Sequence, residues 1–94
     1  MSLISPHPGV EITFRLKMVN VTPFQLAKDI DESPVLITRV LKRKTHLTAV
    51  LAIKIGKALS IKPETLMDMQ GRHDISRVIE RTKTDFITPY PRCS

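Results

Sequence analysis

Val35, Thr38, Arg39 and Lys42 recur at three- and four-residue spacing, with Arg43 and Lys44 directly after them. On a helix that spacing gathers them on one face. A guanidinium can bridge the O6 and N7 acceptors of guanine, which suits Arg39 for a base edge, while a threonine can approach a thymine methyl or a phosphate. Lys42, Arg43 and Lys44 are suited to phosphates instead, as charges that fix position without encoding sequence. Chemistry of the bond-breaking kind is not offered. No nucleophile, base and orienting acid stand together, and the three glycines, at positions 9, 56 and 71, form no glycine-rich phosphate loop. His7, His46 and His73 match no metal spacing, and Cys93 is remote from all of them, so they read as surface or structural residues. We therefore expect no enzyme, no cofactor and no metal.

Two short helices must position the cationic face, Thr22 to Ile30 and Ser33 to Leu41, with only Asp31 and Glu32 between them. Each opens on a hydroxyl residue that can cap free N–H groups, followed by a proline whose missing N–H is harmless at a first helical position. Ala27 allows close approach, and Leu26, Ile30, Ile37, Val40 and Leu41 fall at inward spacings. This is the pattern of a helix-turn-helix, whose second helix commonly enters the DNA major groove.

The net charge of +6 is unevenly spread. Residues 33–63 hold seven cations and no acid, leaving the remainder slightly acidic. Such a face attracts phosphates and gives affinity that falls with salt. The bland alternative is a solvated surface. At 94 residues one domain with a single core is expected, and with no Trp, three Phe and one Tyr the core should be aliphatic. The longest apolar run, Ala49 to Ile53, is far below the roughly 20 residues that cross a bilayer. Ser5-Pro6-His7-Pro8-Gly9 follows no basic, apolar leader, which points away from a secretory signal. Cytoplasmic residence without a membrane partner is the expectation, consistent with the single cysteine, Cys93.

Around the motif, residues 1–9 read as a proline-rich arm, 10–81 as the helical domain and 82–94 as a mobile or extended tail. A first helix is predicted from about Val10 to Val19, with Ile12, Leu16 and Val19 on one stripe. Thr48 can cap a fourth helix through Leu59, in which Gly56 costs about 1 kcal/mol relative to Ala. Pro63 and Glu64 open a fifth, reaching about Arg81, which lacks a side-chain cap because Lys62 occupies that place. Leu66, Met67 and Met69 form one apolar group on it and Ile75, Val78 and Ile79 another, with Gly71 between as a possible bend. Part of that surface reads as a dimer contact, with core packing as the alternative.

His7-Pro8-Gly9, Leu26-Ala27-Lys28, Ser33-Pro34 with Ile37-Thr38-Arg39-Val40-Leu41, Ala58-Leu59 and Leu66-Met67-Asp68-Met69-Gln70 together resemble HigA-like antidote proteins of bacterial addiction modules. These lie within the Cro and phage-repressor helix-turn-helix superfamily, and the resemblance spans about residues 7 to 75. It implies an all-α, five-helix, phage-repressor-like DNA-binding domain. It also implies a homodimer that represses its own toxin and antitoxin operon and restrains a cognate HigB-like endoribonuclease. Carried over by motif, Thr22 is the cap that touches phosphate. Ser33, Val35, Leu36, Thr38 and Arg39 form the groove-facing part of the second helix, and Lys42, Arg43 and Lys44 the exit near the backbone. Departures are visible. Asp31 replaces the usual turn glycine, a type that tolerates the left-handed conformation better than most. Lys42-Arg43 replaces Asn-Gly at the exit, and Thr65-Leu66 replaces Phe-Trp. Val35 and Leu36 stand where small polar residues are common, and can meet thymine methyls or protein.

The expected function is that of a DNA-binding antitoxin acting on double-stranded operator DNA, palindromic because two second helices would lie about 34 Å apart. One alternative is a free-standing phage-like regulator. Another is an interaction module that has kept the fold and lost DNA binding.

Overall fold

The computed structural model describes residues 5–91, so Cys93 lies outside the described residues. Five helices account for the regular structure there: α1 (Pro8–Val19), α2 (Pro23–Asp29), α3 (Pro34–Leu41), α4 (Ala49–Leu59) and α5 (Pro63–Val78). The all-α reading of the sequence stands. α2 and α3 pack as a pair, α1 crosses α3, α4 and α5, and α5 lies along α4.

Four of these helices open with the same device, a cap residue followed by proline, at His7-Pro8, Thr22-Pro23, Ser33-Pro34 and Lys62-Pro63. The hydroxyl caps act as expected. Thr22 accepts from the Gln25 amide at 3.1 Å, Thr48 from Leu51 at 3.3 Å and Ser33 from Leu36 at 3.5 Å. Lys62 provides no side-chain cap. α1 starts two residues before the predicted Val10, because His7 is itself a cap and Pro8 the first helical residue.

Helix ends are unusual in the opposite sense. α1, α2, α3 and α4 close on Asn20, Asp31, Arg43 and Ser60, all left-handed, and no described glycine has positive φ. After each of the four, the next amide reaches back across the turn, as in Glu32 N–H to Ala27 C=O (2.8 Å) and Lys44 N–H to Arg39 C=O (2.8 Å). The glycines serve close approach instead. A Cβ on Gly9 would sit 2.6 Å from the Val40 carbonyl oxygen of α3, and one on Gly56 would press on the Ile61 carbonyl as the chain turns into α5. That contact explains a glycine inside α4 despite its helix penalty. Gly71, expected as a bend, lies within the uninterrupted helix α5.

The core is aliphatic and single: Ile12 and Leu16 from α1, Leu26 and Ala27 from α2, Ile37 and Val40 from α3, Leu51, Ala52 and Ile55 from α4, Leu66 from α5, plus Leu47 and Ile61. Val19, placed on the α1 stripe by spacing, is exposed, since the left-handed Asn20 turns the chain away just after it. α5 ends at Val78, short of the predicted Arg81. Its first apolar group joins the core through Leu66 and Met67, whereas Ile75, Val78 and Ile79 remain exposed. Beyond it, the chain to residue 91 is exposed throughout, including Phe86, Ile87 and Tyr90.

Candidate nucleic-acid interface

α3 has two unlike sides. Ile37 and Val40 are 0% exposed, and they fix the helix so that Val35, at 60% exposure, Arg39 and Lys42 point outward. Pro34, Val35, Thr38, Arg39, Lys42 and Lys44 line one open hollow of about 330 Å³. Arg39, Lys42 and Lys44 make no ion pair with any described residue. Their charge is thus uncompensated by neighbouring carboxylates. Thr22 and Ser33 sit exposed at the N-terminal ends of the pair. A hydroxyl that accepts a backbone N–H keeps its own proton to donate, so each cap can still meet an anionic oxygen.

Two expected members of this face lie elsewhere. Leu36 is half-buried and packs against the core, because it stands one turn before Val40 and shares its side. Arg43 is turned by its left-handed backbone (φ 61°) toward α1, where it shares a hollow with Val10, Thr13, Phe14, Lys17 and Leu41. The cation-rich segment as a whole divides in the same way. Lys54 is paired with Glu32 at 3.0 Å, and Lys57 lies with Asp29 between α4 and α2. Only part of the charge surplus read from residues 33–63 reaches the α3 face.

A second polar cluster escaped sequence reasoning. His7 is 3% exposed, and its Nδ1 accepts the Gly9 N–H at 2.9 Å. Its ring meets that of His73 edge-on with centroids 5.0 Å apart. His73 Nδ1 donates to the Ser5 carbonyl at 2.7 Å, and the Ser5 amide donates to Ser76 Oγ at 3.0 Å, which ties the arm down onto α5. Gln70 is buried. Its Oε1 accepts the Leu47 N–H at 2.8 Å, and its Nε2 donates to Asp74 at 2.9 Å. Burial holds the His7 pKa below its ordinary 6.5, and His73 adds to this; the Thr45 backbone and Asp74 oppose it, while Arg43 lowers it further. The signal for His7 was present in the sequence, as the first of four cap-proline pairs. The roles of Gln70 and His73 depend on contacts more than 20 residues apart in the chain.

The described residues hold no group of three His, Cys, Asp or Glu side chains able to bind a metal ion. No described helix is long and apolar enough to cross a membrane.

The fold and this face define a helix-turn-helix domain with a cationic second helix. It is similar over 94% of its length to all of an addiction-module antidote protein of the HigA family from Coxiella burnetii, at TM-score 0.82 and 24% identity. A Pseudomonas aeruginosa protein solved in complex with its operator DNA matches at TM-score 0.82 and 18% identity, covering 92% of this chain and 97% of that one. The chain is also 29% identical over 77 residues to virulence-associated protein A' of Dichelobacter nodosus, covering 81% of this chain and 67% of that protein. No protein-family model matches the chain. These likenesses establish a HigA-like helix-turn-helix fold.

Proposed function

We propose that this chain is a sequence-specific DNA-binding antitoxin that represses its own toxin and antitoxin operon as a homodimer in the cytoplasm. A second surface restrains an endoribonuclease toxin. The observation that carries the DNA half is the hollow on the outer side of α3, where Arg39, Lys42 and Lys44 stand beside Val35 and Thr38 without a carboxylate partner among the described residues. Arg39 reads a base, Val35 and Thr38 meet thymine methyls, and Lys42 and Lys44 hold phosphates with the hydroxyls of Thr22 and Ser33. Operator DNA bound to a protein of the same fold supports this.

The antitoxin half is supported by the fold shared with the HigA-family antidote. A gel-shift titration with the duplex upstream of the native reading frame tests the first half. Sequence-selective retardation at submicromolar protein is expected, and its absence at low salt would favour the interaction-module alternative. Co-purification of a small ribonuclease from the native operon tests the second. Recovery of the chain alone from cells expressing that operon argues for a free-standing regulator.

A further inference from the structure

We propose that His7 is a positioning residue for recognition: its neutral imidazole splints the start of α1 to the exit of α3, and protonation of that ring loosens the cationic helix. The proposal rests on the DNA-binding reading above. Three observations carry it. His7 Nδ1 accepts the Gly9 amide, so the neutral ring bears its proton on Nε2. His7 and Thr45 line one hollow, and the Thr45 backbone there favours the proton-bearing ring. Finally, Gly9 lies so close to the last turn of α3 that a Cβ would stand 2.6 Å from the Val40 carbonyl and 3.1 Å from that of Leu41. One buried ring thus sits between the α1 cap and the loop that follows Arg39 and Lys42.

Protonation puts a second N–H on Nδ1, aimed at the Gly9 N–H. Two donors then face each other and the cap is lost. From α5, His73 and Asp74 face the ring, and from the exit loop Arg43 does; Lys44, His46 and Arg77 line the same hollow. Cations outnumber the one carboxylate there, and burial acts in the same direction, so the neutral ring is the native one at pH 7. With the folded value depressed below 6.5, the splint is fully present above 6.5 and is lost as pH falls through the folded value.

The direction is distinctive. Acidification ordinarily adds positive charge and tightens binding to a polyanion. Here it weakens binding. The test uses the full chain with ¹³C-labelled histidine rings and ¹⁵N amides, in wild type, His7→Asn and His7→Ala. Asn can cap a helix but does not titrate. In wild type we expect the His7 ring to titrate below 6.5, with the amides of Gly9 and residues 40–46 following the same midpoint. In His7→Asn that shared midpoint disappears while thermal stability stays closer to wild type than in His7→Ala.

Affinity for the upstream duplex, measured by anisotropy from pH 7.5 to 5, should fall in wild type relative to His7→Asn by up to about tenfold per pH unit below the midpoint, the limit for one linked proton. A His7 titration without any response in residues 40–46, or a wild-type to His7→Asn affinity ratio constant across the range, would overturn the proposal. Failure of both proteins to bind the duplex at pH 7.5 instead sinks the DNA-binding reading. The amide response then still decides whether His7 holds the α3 exit.

Discussion

The junction around His7 and the outer side of α3 both carry polar side chains and use them to opposite ends. At the junction, histidines, a serine and a glutamine are packed together, and each has its partner: Gly9, Ser5, Ser76, Leu47 and Asp74 take up their hydrogen bonds. No buried side-chain nitrogen or oxygen among the described residues is left unsatisfied. On α3 the cations stand in the open with no described carboxylate near enough to pair. Chemistry consumed by the fold holds the helix in place, and chemistry left over is what a partner can meet. The contrast also separates the kinds of damage that substitutions should do.

The largest effect should come from the buried side of α3. Ile37 is fully buried, so Ile37→Ala should remove about 2 to 5 kcal/mol of stability, read as a lowered urea midpoint. One position-pair away, Arg39→Ala should leave stability within about 0.5 kcal/mol of wild type. Its expected loss is in DNA affinity, about 1 to 3 kcal/mol, with relaxed preference at a single base pair. If Arg39→Ala instead unfolds the protein, or leaves both affinity and preference unchanged, the division between the two sides of α3 fails.

Next comes the seam between the regions. Gly9→Ala must move either α1 or the end of α3, because its Cβ cannot share space with the Val40 carbonyl. A loss of about 1 to 3 kcal/mol is expected from such overpacking. Gly71→Ala provides the control, since nothing lies within 4 Å of a Cβ there. That change should stabilise by up to about 1 kcal/mol in the interior of α5.

Much of this molecule could be read from local rules, and what could not has a physical reason. Ser33-Pro34 and the Ile37 and Val40 spacing marked α3 correctly, because caps and periodicity act within a few residues. Asp31 is of a residue type that tolerates the left-handed conformation, and it adopts it at φ 58°. Leu36 was harder: a helix gives each residue an angle, but the neighbours across the seam decide which angles are covered. His7 reads from the sequence as part of a proline-rich arm, although the proline after it repeats the pattern at Thr22 and Ser33, and imidazole is not among the usual cap types. The placement of Arg43 toward α1 follows from a single backbone angle that side-chain spacing does not encode.

A smaller effect should distinguish Lys42 and Lys44 from their neighbour. Neutralising both to Gln removes two phosphate contacts, so the slope of log affinity against log salt should become shallower by about 2. Sequence preference should be retained, since contacts of this kind position the duplex without reading it. A slope that stays as steep as in wild type would remove both lysines from the interface.

Arg43→Gly should produce the smallest change, and in the opposite direction for stability. Arg43 closes α3 in the left-handed conformation, with its own amide on the Val40 carbonyl at 3.0 Å and the Lys44 amide on Arg39. A side chain with a Cβ is strained there, whereas glycine adopts the conformation without penalty but loses more chain entropy on folding. The balance should favour glycine by about 0.5 to 1 kcal/mol, a rise in Tm of about 4 °C for a domain of this size. Because Arg43 lines the hollow with Val10 and Phe14 and not the one with Arg39, the salt slope should match wild type. A slope shallower by about 1 would instead mean that Arg43 swings back to the phosphates when the duplex arrives, placing it with Lys42 and Lys44.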